Sequence, residues 1–164
     1  DPESYYAVIA AKTAKLFEAA ARLAAIVNRM SVEQENALAE YGRLLGTAFQ
    51  LMDDALDYEA AAERMGKNRG DDLADGKATL PFIHAMREAS PAEQAILRAA
   101  LADETRQHLP QVLEIIAKTD AIAYTLRSAE KIARQARDCL QDFPECSEKE
   151  ALRFLADFAV HRDH

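Results

Sequence analysis

Residues 49–60 read FQLMDDALDYEA. Asp53, Asp54 and Asp57 stand among Phe49, Leu51, Met52 and Leu56, which belong in a core. With successive side chains turned by about 100°, Gln50 and the three aspartates fall within one arc of a helix. Leu44 and Leu45 continue the apolar surface upstream, and Gly42, Gly46 and Ala48 let another backbone approach closely. A helix apolar on most sides is a buried one. Buried carboxylates are costly unless they are paired or bind a metal. No Lys or Arg stands three or four residues from Asp53 or Asp54, and Arg64 is seven beyond Asp57. A hard divalent cation is the natural counter-charge, and oxygen-only ligands favour Mg²⁺ over Zn²⁺. Mg²⁺ takes one or two carboxylates and completes its shell with water and phosphate oxygens, so the pattern also points to a phosphorylated ligand. Taken alone, the spacing leaves a plain solvated acidic face open.

The next stretch, GKNRGDDLADGK at 66–77, carries Lys67, Arg69 and Lys77 between Gly66, Gly70 and Gly76. Glycines let backbone approach a ligand, and lysines act as point charges for phosphate. An ordinary charged surface turn is the plainer alternative. Asp71, Asp72 and Asp75 repeat the acidic spacing, but between glycines, where a continuous helix is doubtful. They rank below Asp53, Asp54 and Asp57 as a metal site, and Asp72 could cap a short turn.

Outward from this centre nearly everything reads helical, with no alternating strand pattern. A first helix is expected over 4–28. A second, opened by a capping box of Ser31 and Gln34, is expected from 32 to about 64. Ser90, Pro91 and Glu93 form another capping box with proline at the first helical position. Pro110 opens a further helix, 120–141 is amphipathic, and Ser147 with Glu150 is expected to cap the last. The expected fold is one all-α domain spanning 1–164.

At 164 residues the chain can bury a real core. Its net charge of −8 argues against nucleic acid as a partner. No run of 18 apolar residues suggests a transmembrane helix. Cys139 and Cys146 fit no metal spacing and read as reduced thiols of a cytoplasmic protein. His84, His108, His161 and His164 form no metal-ligand pair. Tyr5, Tyr6, Phe17 and Tyr58 read as core, whereas Phe49 is a candidate for lining a channel. A start at Asp1 rather than Met reads as a fragment.

FQLMDDALDY followed by GKNRGDDLADGKATLPFIHAM resembles the second aspartate-rich region of the trans-isoprenyl diphosphate synthases, the polyprenyl synthetases. KTAKLFEAAA at 12–21 resembles the Lys-Thr helix of that family, and YGRLLGTAFQ at 41–50 its approach to the acidic motif. The closing FAVHRDH resembles the end of bacterial octaprenyl- and decaprenyl-type members. The resemblance runs from about residue 4 to the end. It implies a helical bundle of the isoprenoid synthase type, here only its C-terminal portion.

The family joins an allylic diphosphate, such as farnesyl diphosphate, to isopentenyl diphosphate. The resemblance implies Mg²⁺ at Asp53, Asp54 and Asp57, with Asp53 the direct ligand. It implies diphosphate contacts from Lys12, Thr13, Gln50 and Lys67, with Lys77 nearby. It also implies a long-chain product for the side chain of a respiratory quinone such as ubiquinone. The family's first aspartate-rich motif and its isopentenyl-binding basic residues are absent from this sequence. The chain alone is therefore expected to be inactive in condensation, and to form a homodimer or higher homo-oligomer, or to associate with the missing N-terminal half. The alternatives are a non-catalytic helical subunit of a heteromeric synthase, a terpene cyclase and a helical interaction module. The intact acidic motif argues against the first. Ala61, where a cyclase motif wants Glu, argues against the second.

Overall fold

The structure is a computed structural model and describes residues 1–59, 70–102 and 107–161. Among these residues every regular element is helical. The helices are α1 (Pro2–Ile9), a π-helical turn (Ala10–Ala14), α2 (Lys15–Val27), α3 (Val32–Leu56), α4 (Asp71–Ala74), α5 (Leu80–Glu88), α6 (Pro91–Leu101), α7 (Leu109–Lys118), α8 (Ala121–Asp138) and α9 (Ser147–Phe158). No helix of the described residues is long and apolar enough to cross a membrane. The contacts divide the chain into two compact units. One comprises Asp1–Tyr5 and Asp53–Arg127; the other comprises Tyr6–Met52 and the described residues from Ser128.

In the second of these, Ala25, Leu38, Tyr41, Leu44, Ala136, Leu140 and Ala156 form the core. The small residues are there for proximity. A Cβ on Gly42 would come within 2.4 Å of the Phe17 carbonyl oxygen, and one on Gly46 within 2.7 Å of the Ala14 Cα. The α2 and α3 backbones therefore nearly touch. Tyr41 donates its hydroxyl to the Leu152 carbonyl at 2.8 Å, and burial pushes its phenol up to about 12. Lys149, only 3% exposed, donates to the carbonyls of Gln141 and Phe143 and pairs with Glu145. One ammonium thus satisfies the turn between α8 and α9, which has no ladder of its own.

In the other unit α5, α6 and α7 pack against one another, with α4 against α6. Tyr58, Leu73, Phe82, Ala85, Leu97, Val112, Ile116 and Ala121 form the core. His84 lies in this unit stacked on Tyr124, with ring centroids 4.0 Å apart.

The sequence expectations meet this structure unevenly. The Ser31–Gln34 box forms, each side chain bonding the other residue's backbone N–H. So does the Ser90–Glu93 box, and Pro110 stands in the first turn of α7. The expected cap at Ser147 does not form. Glu150 N–H donates to the Cys146 carbonyl, so the helix starts one residue early, with Cys146 at its N-cap, and the Ser147 hydroxyl turns to Glu148. The second helix ends at Leu56 rather than near 64. There Tyr58 and Glu59 reach back three residues, to Ala55 and Leu56, and tighten the last turn. The first helix is broken in phase by its π-turn. Cys139 and Cys146 are free thiols.

Replacing Gly42 with Ala is expected to lower the unfolding free energy by about 1–3 kcal/mol, because backbone rather than a flexible side chain blocks the added methyl; urea denaturation measures it. Glu93 is held down at about 2 by Lys118, then by the Ser90 hydroxyl and N–H. Its contribution is present above the ordinary 4.5 and is lost as pH falls toward 2. The stability gap between the wild type and Glu93→Gln should therefore close between pH 5 and pH 2.

Candidate active site

Lys12 and Thr13 lie on the π-turn. A π-turn carries one residue more than an α-turn and is frequently placed where function needs a side chain re-aimed. Lys12 is exposed and Thr13 half-buried. The Thr13 hydroxyl donates to Gln50 Oε1 at 2.8 Å. Gln50 is buried, on α3. The Gly46 contact with Ala14 holds these two backbones together one turn away from that bond. Phe17 and Phe49 pack beside it, with ring centroids 5.9 Å apart. Two residues 37 positions apart, each read from the sequence as lining a diphosphate site, are therefore bonded to each other.

The aspartates sit at the far end of α3, and each has a different environment. Asp53 is half-buried. Asp54 is only 2% exposed and accepts the Tyr5 hydroxyl. Asp57 lies beyond the helix, in the turn that follows. Asp53 and Asp54 lie on α3, and Asp57 follows its last residue, its N–H still donating to the Asp53 carbonyl at 3.1 Å. The Asp57 carbonyl accepts the Gly70 N–H at 2.9 Å, and its carboxylate accepts the Asp72 N–H at 3.3 Å. Asp57 thereby caps α4, a single turn whose N-cap is Gly70 at φ 71. Its carboxyl is pushed up to about 6, first by burial and then by the Asp72 carboxylate, against the pull of two backbone N–H groups.

Lys67, Gly66 and Arg69 fall outside the described residues. Lys77 pairs with Asp75 at 2.8 Å and Asp72 at 3.2 Å, and these two carboxylates, Asp75 first, raise its pKa. Two members of the second acidic triplet are therefore engaged with a lysine. His108 bonds Gln111 and His161 the Asp157 carbonyl, while His164 lies outside the described residues. The Tyr5–Asp54 bond joins residues 49 apart, and no local sequence signal marks it. The π-turn was equally hidden, because Ala-rich sequence carries no π signature.

Among the described residues no three acidic, imidazole or thiol side chains converge as a metal cage. A dedicated all-protein site of the Ca²⁺ kind is thus not built there. The donors fit a hard cation of the other kind, which takes one or two carboxylates and fills its shell with water and phosphate oxygens.

The fold is all-α, of the isoprenoid synthase type. The polyprenyl synthetase family model matches residues 1–117, well over half of the chain, and the chain belongs to that family. It is 44% identical to the octaprenyl diphosphate synthase of Haemophilus influenzae over all of this chain and 51% of that protein. It is 46% identical to the octaprenyl diphosphate synthase of Escherichia coli over 98% of this chain and 50% of that protein. The crystal structure of a polyprenyl synthase from Caulobacter crescentus, complexed with calcium and isoprenyl diphosphate, matches with a TM-score of 0.91 at 41% identity, over 99% of this chain and 50% of that one. The chain spans about half the length of the curated relatives it matches.

Asp57→Ala leaves the part-buried Asp72 N–H without its acceptor and should cost about 0.5–1.5 kcal/mol, whereas Asp57→Asn keeps an acceptor and should cost less. A raised carboxyl favours the folded state when neutral, so the wild type should lose stability relative to Asp57→Asn as pH rises from 4 to 6. Chemical denaturation of the three proteins across that range checks both statements.

Proposed function

We propose that this chain is the C-terminal half of a long-chain trans-polyprenyl diphosphate synthase. Completed by its N-terminal half, it condenses isopentenyl diphosphate head-to-tail with an allylic diphosphate such as farnesyl diphosphate. The product serves as a quinone side chain, and the enzyme works in the cytoplasm as a homodimer. The observation that carries this reading is the Thr13–Gln50 bond on a π-turn that exposes Lys12, in a chain of the polyprenyl synthetase family.

Each residue has its own part. Lys12 supplies a mobile positive charge to the allylic diphosphate, and Lys67 a second. Thr13 and Gln50 hold each other's rotamers, so their polar atoms are positioned before the ligand arrives. Asp53 is the direct Mg²⁺ ligand. Asp54 is oriented by Tyr5 and contributes negative charge behind Asp53. Asp57 holds the start of α4. Lys77 adds charge nearby while paired with Asp72 and Asp75. When held there, Mg²⁺ would supply positive charge against the charge developing on the leaving diphosphate. The half-chain alone does not elongate, since it lacks the first aspartate-rich motif.

The test joins this chain to the N-terminal half of the Escherichia coli octaprenyl diphosphate synthase. It measures Mg²⁺-dependent transfer of labelled isopentenyl diphosphate onto farnesyl diphosphate. The hybrid should extend the chain. Asp53→Asn in the hybrid should reduce the rate by about 10²-fold or more, on the scale of removing one group that stabilises developing charge. A hybrid that is helical by circular dichroism and does not extend would sink the proposal.

A further inference from the structure

Asp1 caps the start of α1. Its carboxylate accepts the Ser4 N–H and the Ser4 hydroxyl, each at 2.9 Å, and its carbonyl accepts the Tyr5 N–H at 3.2 Å. An aspartate in this place satisfies the open donors of a first turn, so the backbone of Tyr5 is held. The ring is held too, since Tyr5 is only 8% exposed. A buried tyrosine takes its hydroxyl to a polar partner. Here that partner is the Asp54 carboxylate, 49 residues along the chain. Both residues belong to the unit of Asp1–Tyr5 and Asp53–Arg127.

Successive side chains leave a helix about 100° apart, so Asp53 and Asp54 depart from α3 in different directions. Asp53 is half-buried and is the most accessible of the three aspartates. Asp54 is 2% exposed and gives one carboxylate oxygen to the phenol. A carboxylate taken out of water is costly unless it is hydrogen-bonded. A bond to an ionised acceptor is about twice as strong as one between neutral groups. The phenol therefore fixes both the place and the direction of Asp54. Asp57 is occupied in its turn by the Asp72 N–H, which leaves Asp53 as the carboxylate best placed to face a cation.

The geometry points to Tyr5 as a positioning residue: by holding Asp54 it sets the affinity of the acidic end of α3 for a divalent cation. This rests on the reading of the chain as part of a synthase in which Asp53 is the cation's ligand. Tyr5 acts through Asp54, whose negative charge then stands in a fixed place behind Asp53. Without the hydroxyl that charge is no longer placed. Removing a hydrogen-bond partner from the groups around a metal costs about 10- to 100-fold in affinity or activity. The bond is buried and lies within one unit of the chain, so it forms without any contribution from another surface.

The experiment uses Tyr5→Phe, which keeps the ring and removes the donor, in the hybrid with the Escherichia coli N-terminal half. Mn²⁺ is the probe, with its free form followed by electron paramagnetic resonance in the presence of farnesyl diphosphate. The dissociation constant of Mn²⁺ should rise by about tenfold or more. In an Asp54→Ala background the same change should add less than about twofold, because the effect runs through Asp54. Excess Mg²⁺ should return the extension rate of Tyr5→Phe to that of the unchanged hybrid, which a merely structural defect would not allow. A smaller rise, a further loss in the Asp54→Ala background, or a rate that excess Mg²⁺ leaves low overturns the inference. If Tyr5→Phe does not fold, Asp54→Asn, which keeps an acceptor for the phenol and removes the charge, is titrated in its place, and a rise below about tenfold is again fatal. If the hybrid does not fold, the 164-residue chain is titrated against the same limits. A hybrid whose affinity depends on the phenol but which does not extend rejects the synthase reading alone. One that extends with its affinity unchanged by Tyr5→Phe rejects the role of Tyr5 alone.

Discussion

The closeness of α2 and α3 is the constraint on which the Tyr6–Met52 part of the structure turns. At Gly42 and Gly46 an added Cβ would run into Phe17 and Ala14, so the two glycines permit this approach. Close packing of backbones then fixes where the side chains just beyond them meet. Thr13 reaches Gln50 because Ala14 lies against Gly46, and the Phe17–Phe49 pair closes over the same approach. A polar pair placed in this way needs no flexible reach from either partner. Its geometry is set by the least deformable part of the chain, which is what a ligand-contacting pair requires.

The acidic end of α3 follows a different logic. Burying carboxylates is expensive, and the protein answers with hydrogen bonds as well as with any cation it recruits. Asp54 receives a phenol from Tyr5, and Asp57 receives backbone N–H groups from the start of α4. The motif is thus partly a structural joint, where a helix ends and the chain returns against it. Three like charges in a row persist because each has its own neighbourhood.

Much of this was legible in the residues themselves. The all-α architecture, the capping boxes at Ser31 and Ser90, and the close-approach role of Gly42 and Gly46 all come from local rules that act within a few residues. The family resemblance rested on FQLMDDALDY and KTAKLF, short stretches dense in functional side chains. What escaped was set by contacts distant in sequence or by a local bond displaced by one residue. Helical periodicity alone carries α3 past Leu56, but the Gly70 and Asp72 amides, bonded to Asp57, turn the chain there instead. Ser147 has the right neighbour for a cap, yet the preceding carbonyl of Cys146 takes the role one residue earlier.

The π-turn at Ala10–Ala14 bears on how related sequences are compared. Ile9 and Leu16 are seven residues apart, which in an unbroken helix puts them within about 20° of one another. Ile9 is 4% exposed and Leu16 73% exposed. The extra residue in the wide turn has rotated one side of the helix out of step with the other. An insertion or deletion of one amino acid here would be absorbed without a loop, leaving a helix that looks intact in an alignment while its inward and outward positions trade places. Substitution patterns on the two sides of Lys12 and Thr13 therefore have to be read in separate frames, as if they belonged to two helices that happen to share an axis.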